Sequence, residues 1–285
     1  MYPADAPPTD MPSLDRLAVH QVTLLEQCDF RHSIEAFARH EIRATAVWNE
    51  KLQAVGVREA ARILSDLGMT VTALCPGGLF TQRDPGEFET AIDASMQLID
   101  QAAEIGARSL VVITGGLAAG ERDLGFARER AGEGLARLIT HARNSNVRLA
   151  LEPLHPMVCG FRSVISTLRE ANDLCDAVNA PDVLGIALDT YALWWEGDLY
   201  AQIERAGPRV IGYHVSDWLR DTCDVRLDRG MPGDGVIDLI GIRTRLEATG
   251  FNGYCEVEIF SRRNWWQRPA DEVLSVIKSR FATAV

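Results

Sequence analysis

Eight short stretches of apolar or alternating residues recur along the chain: LAVHQVTLL (17–25), IRATAVW (42–48), MTVTALCPGG (69–78), SLVVITGG (109–116), VRLALEPL (147–154), LGIALDTYAL (184–193), RVIGYHVSDW (209–218) and GYCEVEIFS (253–261). Each is bounded by polar residues or by Gly and Pro. Rich in β-branched side chains and too short for typical helices, they predict strands.

Helical spacing fills the intervals. REAARILSDLG puts Ala60, Ile63, Leu64 and Leu67 on one side and ends at Gly68, a C-cap residue. ETAIDASMQLIDQAAEIG aligns Ala91, Ala94, Leu98, Ile99 and Ala102 and stops at Gly106. The segments Arg128 to Asn144, Ser163 to Val178, Leu199 to Ala206, Ile237 to Ala248 and Ala270 to Ala284 follow the same rule, with Asp271 and Glu272 suited to a first turn.

Strand thus alternates with helix eight times, without a long linker. Alternation of this kind predicts parallel pairing, and eight units predict closure into a single (β/α)8 barrel of the α/β class spanning residues 16–285. Residues 1–15, Pro-rich and irregular, are expected to form a flexible N-terminal tail. An open doubly wound sheet would want a phosphate-binding glycine fingerprint after the first strand, and no glycine stands between the first two strands. CPGG and ITGG are better explained as tight turns at a barrel mouth.

Composition narrows the function. A chain of 285 residues with a net charge of −11 lacks the basic excess that duplex binding draws on, so no nucleic-acid partner is expected. The N-terminus has acids and prolines where a secretory signal needs a basic start and an apolar core, and no run approaches a membrane span. Six cysteines without a CxxC pair suit buried free thiols in a reducing, cytoplasmic setting.

In a barrel of this kind the active site lies at the C-terminal ends of the strands. Strand five ends in Glu152, strand six reaches Asp189, strand seven carries His214, and strand eight brings both Glu256 and Glu258. Converging carboxylates repel one another or take up protons unless a cation joins them. Oxygen ligands with one nitrogen suit a single divalent ion, Mn²⁺ or Mg²⁺ first, with Co²⁺, Fe²⁺ or Zn²⁺ compatible. Each residue alone has a plainer role, Asp189 as a turn cap above all, and it is the combination on four consecutive strands that points to a metal.

The segments LALEPLHP, GIALDTYALWWEGD, GYHVSDW, RGMPGDGVID and EVEIFS resemble those of the xylose isomerase-like TIM-barrel superfamily. That superfamily includes sugar isomerases, ketose 3-epimerases, inosose dehydratase and apurinic endonucleases. The resemblance implies that Glu152, Asp189, His214 and Glu258 ligate one divalent metal, Mn²⁺ first, and that Glu152 and Glu258 act as the acid/base pair. It also implies substrate contacts from His155 and from Arg220, six residues after His214. Two departures from the epimerase pattern stand out: Ala192 where those enzymes carry a histidine, and Val158 where they carry a second glutamate.

All six tryptophans lie at or just beyond predicted strand ends, and Trp48, Trp194 and Trp265 are candidates for flat walls against a sugar or cyclitol ring. Such aromatics also suit a subunit interface, which leaves a homo-oligomer open. The expected chemistry is proton abstraction next to a chelated carbonyl, through an enediolate. Reprotonation makes the enzyme an isomerase or epimerase. Expulsion of a β-hydroxyl makes it a dehydratase or lyase acting on a keto-cyclitol or keto-sugar. The endonuclease alternative would need further metal ligands and a basic groove.

Overall fold

A computed structural model describes residues 11–285. Seven parallel strands come first: β1 (Leu17–Val19), β2 (Ala44–Trp48), β3 (Thr70–Gly78), β4 (Ser109–Ile113), β5 (Arg148–Leu151), β6 (Leu184–Asp189) and β7 (Val210–Val215). A short antiparallel ribbon follows, β8 (Asp217–Trp218) against β9 (Arg229–Gly230), and β10 (Cys255–Val257) then closes the barrel between β7 and β1. The eight long-range parallel strands and intervening helices form the expected (β/α)8 TIM barrel.

The outer ring contains α1 (Phe30–Arg39), α2 (Asn49–Val55), α3 (Val57–Asp66), α4 (Pro85–Glu104), α5 (Leu124–Asn144) and α6 (Leu168–Val178). After the single turn α7 (Thr190–Leu193), it continues with α8 (Leu199–Ala206), α9 (Leu239–Ala248) and α10 (Ala270–Ala284). α1 lies in a segment assigned no helix above. Its signal is nonetheless present, since Asp29 accepts from the His32 amide as N-cap and Phe30, Ile34 and Phe37 bury one stripe. Helix α6 begins five residues later than expected, where Thr167 and Glu170 close a capping box.

Several strands stop short of their apolar runs because polar side chains turn the chain. His20 accepts from the Val22 amide and starts a 3-10 turn over Gln21–Leu24, inside LAVHQVTLL. Asp189 accepts from the Tyr191 amide and starts α7, inside LGIALDTYAL. Of the expected tail, residues 1–10 lie outside the described residues, and Leu14–Arg16 form a 3-10 turn capped by Ser13.

The barrel lumen is lined by small side chains, Ala46, Ala73, Ala150 and Ala187, with Val22 and Val111. Larger aliphatic residues fill the layer between strands and helices. At the mouth, two glycines are required by close approach. A Cβ on Gly78 would stand 2.1 Å from the Ile113 carbonyl, and one on Gly116 would stand 2.3 Å from the Phe161 backbone. CPGG and ITGG therefore let neighbouring loops pack onto the strand ends. All six cysteines are free; Cys75, Cys175 and Cys255 are buried, whereas Cys223 is exposed. No helix among the described residues is long and apolar enough to cross a membrane.

Candidate active site

Parallel pairing sets the floor of the pocket. Asp189 stands in register with His214 across β6 and β7, and His214 with Glu256 across β7 and β10. With side chains alternating, Glu256 and Glu258 both face the lumen, one layer apart. The lower one, Glu256, accepts a 2.7 Å hydrogen bond from Thr72 Oγ1. The upper one, Glu258, meets Glu152 and His214, and donor atoms of these three buried residues all lie within 4.8 Å of one another. Depth in the barrel therefore brings Glu258, and not Glu256, beside Glu152 and His214.

His214 Nδ1 lies 2.7 Å from Glu152 Oε1 and 3.9 Å from Glu258 Oε2. Burial works against the protonated ring, yet the Glu152 charge and hydrogen bond, followed by Glu258 and Glu256, raise its pKa to about 10. Burial raises Glu152 in turn, opposed by His214. The Glu152 carboxylate thus favours the protonated imidazole beside it.

Asp189 stands beside this group rather than within it. One carboxylate oxygen caps α7, and the other, Oδ2, lies 3.1 Å from Arg229 Nη1 at an angle that makes no hydrogen bond. The same Arg229 nitrogen donates to Glu258 Oε2 at 2.8 Å. Its guanidinium lies over the rings of Tyr191 at 4.6 Å and Phe260 at 4.9 Å. Burial disfavours its charge, but Asp189 and Glu258 more than offset this and hold its pKa above the ordinary arginine value.

The loop that delivers Arg229 is organised by Asp217, whose carboxylate accepts from the amides of Gly233, Gly235 and Ile237 at 2.8–3.0 Å. A Cβ on Gly235 would stand 2.2 Å from the Trp218 carbonyl, so the RGMPGDGVID segment folds tightly under the β8–β9 ribbon. This geometry corrects the expectation for Arg220. It sits exposed in the turn after β8, outside the pocket lining, while β9 on the returning limb buries Arg229.

Two tryptophan assignments change likewise. Trp265 is buried in the shell outside the barrel, with Arg268 over its ring at 4.4 Å and Nε1 3.3 Å from Asp234. Trp194 faces a separate surface cleft with Leu199, Tyr200 and Ile242. Both lie on chain that has already turned outward from the strand ends. Trp48 does line the active-site pocket, and so does His155. The His155 ring stacks on Trp218 at 4.8 Å, and its Nδ1 accepts from the Met157 amide. Burial lowers its pKa.

His20 escaped the reading of the sequence. It is fully buried, edge-on to Trp48 and to His214, and its Nε2 lies 3.4 Å from Glu258 Oε1. Because Nδ1 accepts from the Val22 amide, Nε2 carries the hydrogen and faces the carboxylate. Burial and then the His214 charge push its pKa well down. Alternation in LAVHQV, with Ala18 and His20 both facing inward at a strand end, was the available signal.

The floor has the chemistry of a cation site: three carboxylates and an imidazole, all buried. Asp189 Oδ2 and His214 Nε2 make no hydrogen bond, and buried polar atoms of this kind ordinarily find a partner. Ala192 and Val158 both line the pocket wall.

Comparison with known proteins agrees with this architecture. The inosose isomerase of Bacillus velezensis is 24% identical across 95% of this chain and 97% of its own. Among solved structures, protein SMc04130 from Sinorhizobium meliloti 1021 is 43% identical, covering 95% of this chain and 99% of that one, with a TM-score of 0.93. The IOLI protein, solved with a bound zinc atom, shares the fold at a TM-score of 0.83 and 20% identity, covering 95% of this chain and 98% of its own. The family described as xylose isomerase-like TIM barrel matches residues 32–280, and this chain belongs to it.

Proposed function

We propose that this protein is a divalent-metal-dependent isomerase or epimerase of a ketose or keto-cyclitol. The observation that carries the reading is the meeting of Glu152, His214 and Glu258 at the barrel mouth, with donor atoms within 4.8 Å. These three would hold the ion, with Asp189 as fourth ligand once its Oδ2 turns from Arg229 toward it. Oxygen-rich coordination makes Mn²⁺ the first choice. Bound there, a divalent ion supplies a Lewis acid that polarises a substrate carbonyl and acidifies the adjacent C–H bond.

The chain's own residues do the rest. Glu152 and Glu258 arrive from strands on different sides of the lumen, so one removes a proton from carbon and the other returns one to the opposite face or to the neighbouring carbon. His20 presents its Nε2–H toward Glu258 from 3.4 Å, close enough to steady that carboxylate. Arg229, already bonded to Glu258, presents its remaining N–H groups to substrate hydroxyls. Trp48 and Phe260 supply apolar walls and exclude water. The name carried by the Bacillus velezensis relative supports a cyclitol among the substrates.

A second reading, elimination of water from the same carbanionic species, is favoured by Ala192 and Val158. They leave the wall apolar where ketose epimerases place a histidine and a glutamate, and so remove groups that would hold a free ketose. Incubation of metal-loaded protein with ketoses and inososes, neutral and acid-bearing, in D₂O, followed by NMR, tests both. Deuterium at carbon with an isomeric product supports isomerisation, and an unsaturated product supports elimination. No exchange with any member of the panel would sink the proton-transfer reading.

A further inference from the structure

Above the floor, the pocket rim holds two more guanidiniums. Arg162 comes from the loop after β5 and Arg226 from the loop between β8 and β9, and both line the same pocket as Glu152 and Glu258. Neither side chain makes an ion pair or a side-chain hydrogen bond among the described residues. This is unusual in a chain where most other arginines are paired with acids.

Arg162 is half-buried and fixed in place. The Gly115 amide donates to its carbonyl at 3.1 Å and the Val164 amide donates back to Gly115 at 2.9 Å, forming a β-bridge over the close-packed Gly116. Burial and then the Arg226 charge hold its pKa below the usual arginine value, so the two cations repel each other across the rim. Arg226 is held by Asp224, which accepts from the amides of Arg226 and Leu227 and leaves the guanidinium unengaged. The floor's carboxylates have Arg229 and His214 beside them and would share a bound dication. At the rim neither Arg162 nor Arg226 has an acid within ion-pair distance among the described residues.

We propose that the substrate carries an anionic substituent, a carboxylate or a phosphate, gripped at the rim by Arg162 and Arg226 while its carbonyl end faces Glu152 and Glu258. This rests on the isomerase reading for the reacting end only. Planar guanidiniums suit both anions, since each fork can bind either in a bidentate manner. The inferred substrate class is a keto-sugar or keto-cyclitol bearing an acid group, rather than a wholly neutral polyol.

Calorimetric titration of the metal-loaded protein with D-fructose, D-fructuronate and D-fructose 6-phosphate tests this without requiring turnover. At least one anionic member should bind about tenfold or more tightly than D-fructose, and the tighter of the two identifies the anion. The Arg226→Gln variant, at an exposed position, should lose much of that preference, and an Arg162→Gln, Arg226→Gln double variant should abolish it with metal content unchanged. Equal affinity for neutral and anionic ligands, a preference that survives the double variant, or no arginine-dependent binding in any arm overturns the proposal. An arginine-dependent preference without deuterium exchange would leave the rim assignment standing and reject the isomerase reading.

Discussion

His214 Nδ1 and Glu152 Oε1 lie 2.7 Å apart in a buried pair that favours a proton on the imidazole. Both groups must be deprotonated to ligate a metal, so binding competes with that proton. With His214 raised to about 10, metal affinity should increase as pH rises through the neutral range, by up to about tenfold per unit. Calorimetry at pH 7 in buffers of different ionisation enthalpy should show about one proton released per ion bound. Binding with no proton release would mean the pair is not the site.

Glu256 and Glu258 should behave differently despite standing two residues apart. Glu258→Gln or Glu152→Gln should reduce bound metal well below one ion per chain. Glu256→Gln should retain it, because Glu256 lies a layer deeper and is occupied by Thr72. Elemental analysis of the purified variants decides the matter, and equal loss in both strand-end variants would reject the depth argument.

Arg229 bridges two buried carboxylates, and its removal leaves them to repel each other. Arg229→Met should cost about 3–5 kcal/mol of stability in metal-free protein, the usual penalty for breaking a buried pair. Arg220→Ala, at an exposed position, should change stability by no more than about 0.5 kcal/mol. Urea denaturation of both variants gives the comparison.

Gly116 has no room for a side chain. Gly116→Ala should destabilise by about 1–3 kcal/mol through contact with the Phe161 backbone, and should weaken anionic ligands more than neutral ones by displacing the adjacent Arg162. A fall in stability with the ligand preference intact would separate packing from recognition.

Much of the floor was legible because a parallel strand displays its side chains with period two and its last inward-facing residues reach the barrel mouth. VRLALEPL places Glu152 at the mouth, RVIGYHVSDW does the same for His214, and EVEIF stacks two glutamates in one column. Asp189 was legible both as a strand-end acid and as a cap, and its two oxygens face those two roles. The first helix was overlooked although its N-cap and apolar stripe were present, and the polar His20 ended a strand that composition alone would have continued.

Local sequence by itself determined the eight-unit alternation, the closure it implies, and the strand-end acids, since these depend on periodicity and spacing within each unit. Only the tertiary structure decided which arginine enters the pocket, which tryptophans face it, and which of two glutamates joins His214. Those outcomes depend on where loops turn and how deep each strand sits in its register, set by contacts between residues distant in the chain. Asp217 folding the RGMPGDG loop so that Arg229 points inward and Arg220 outward is such a contact. The loop of Phe161 and Arg162 closing over Gly116 is another.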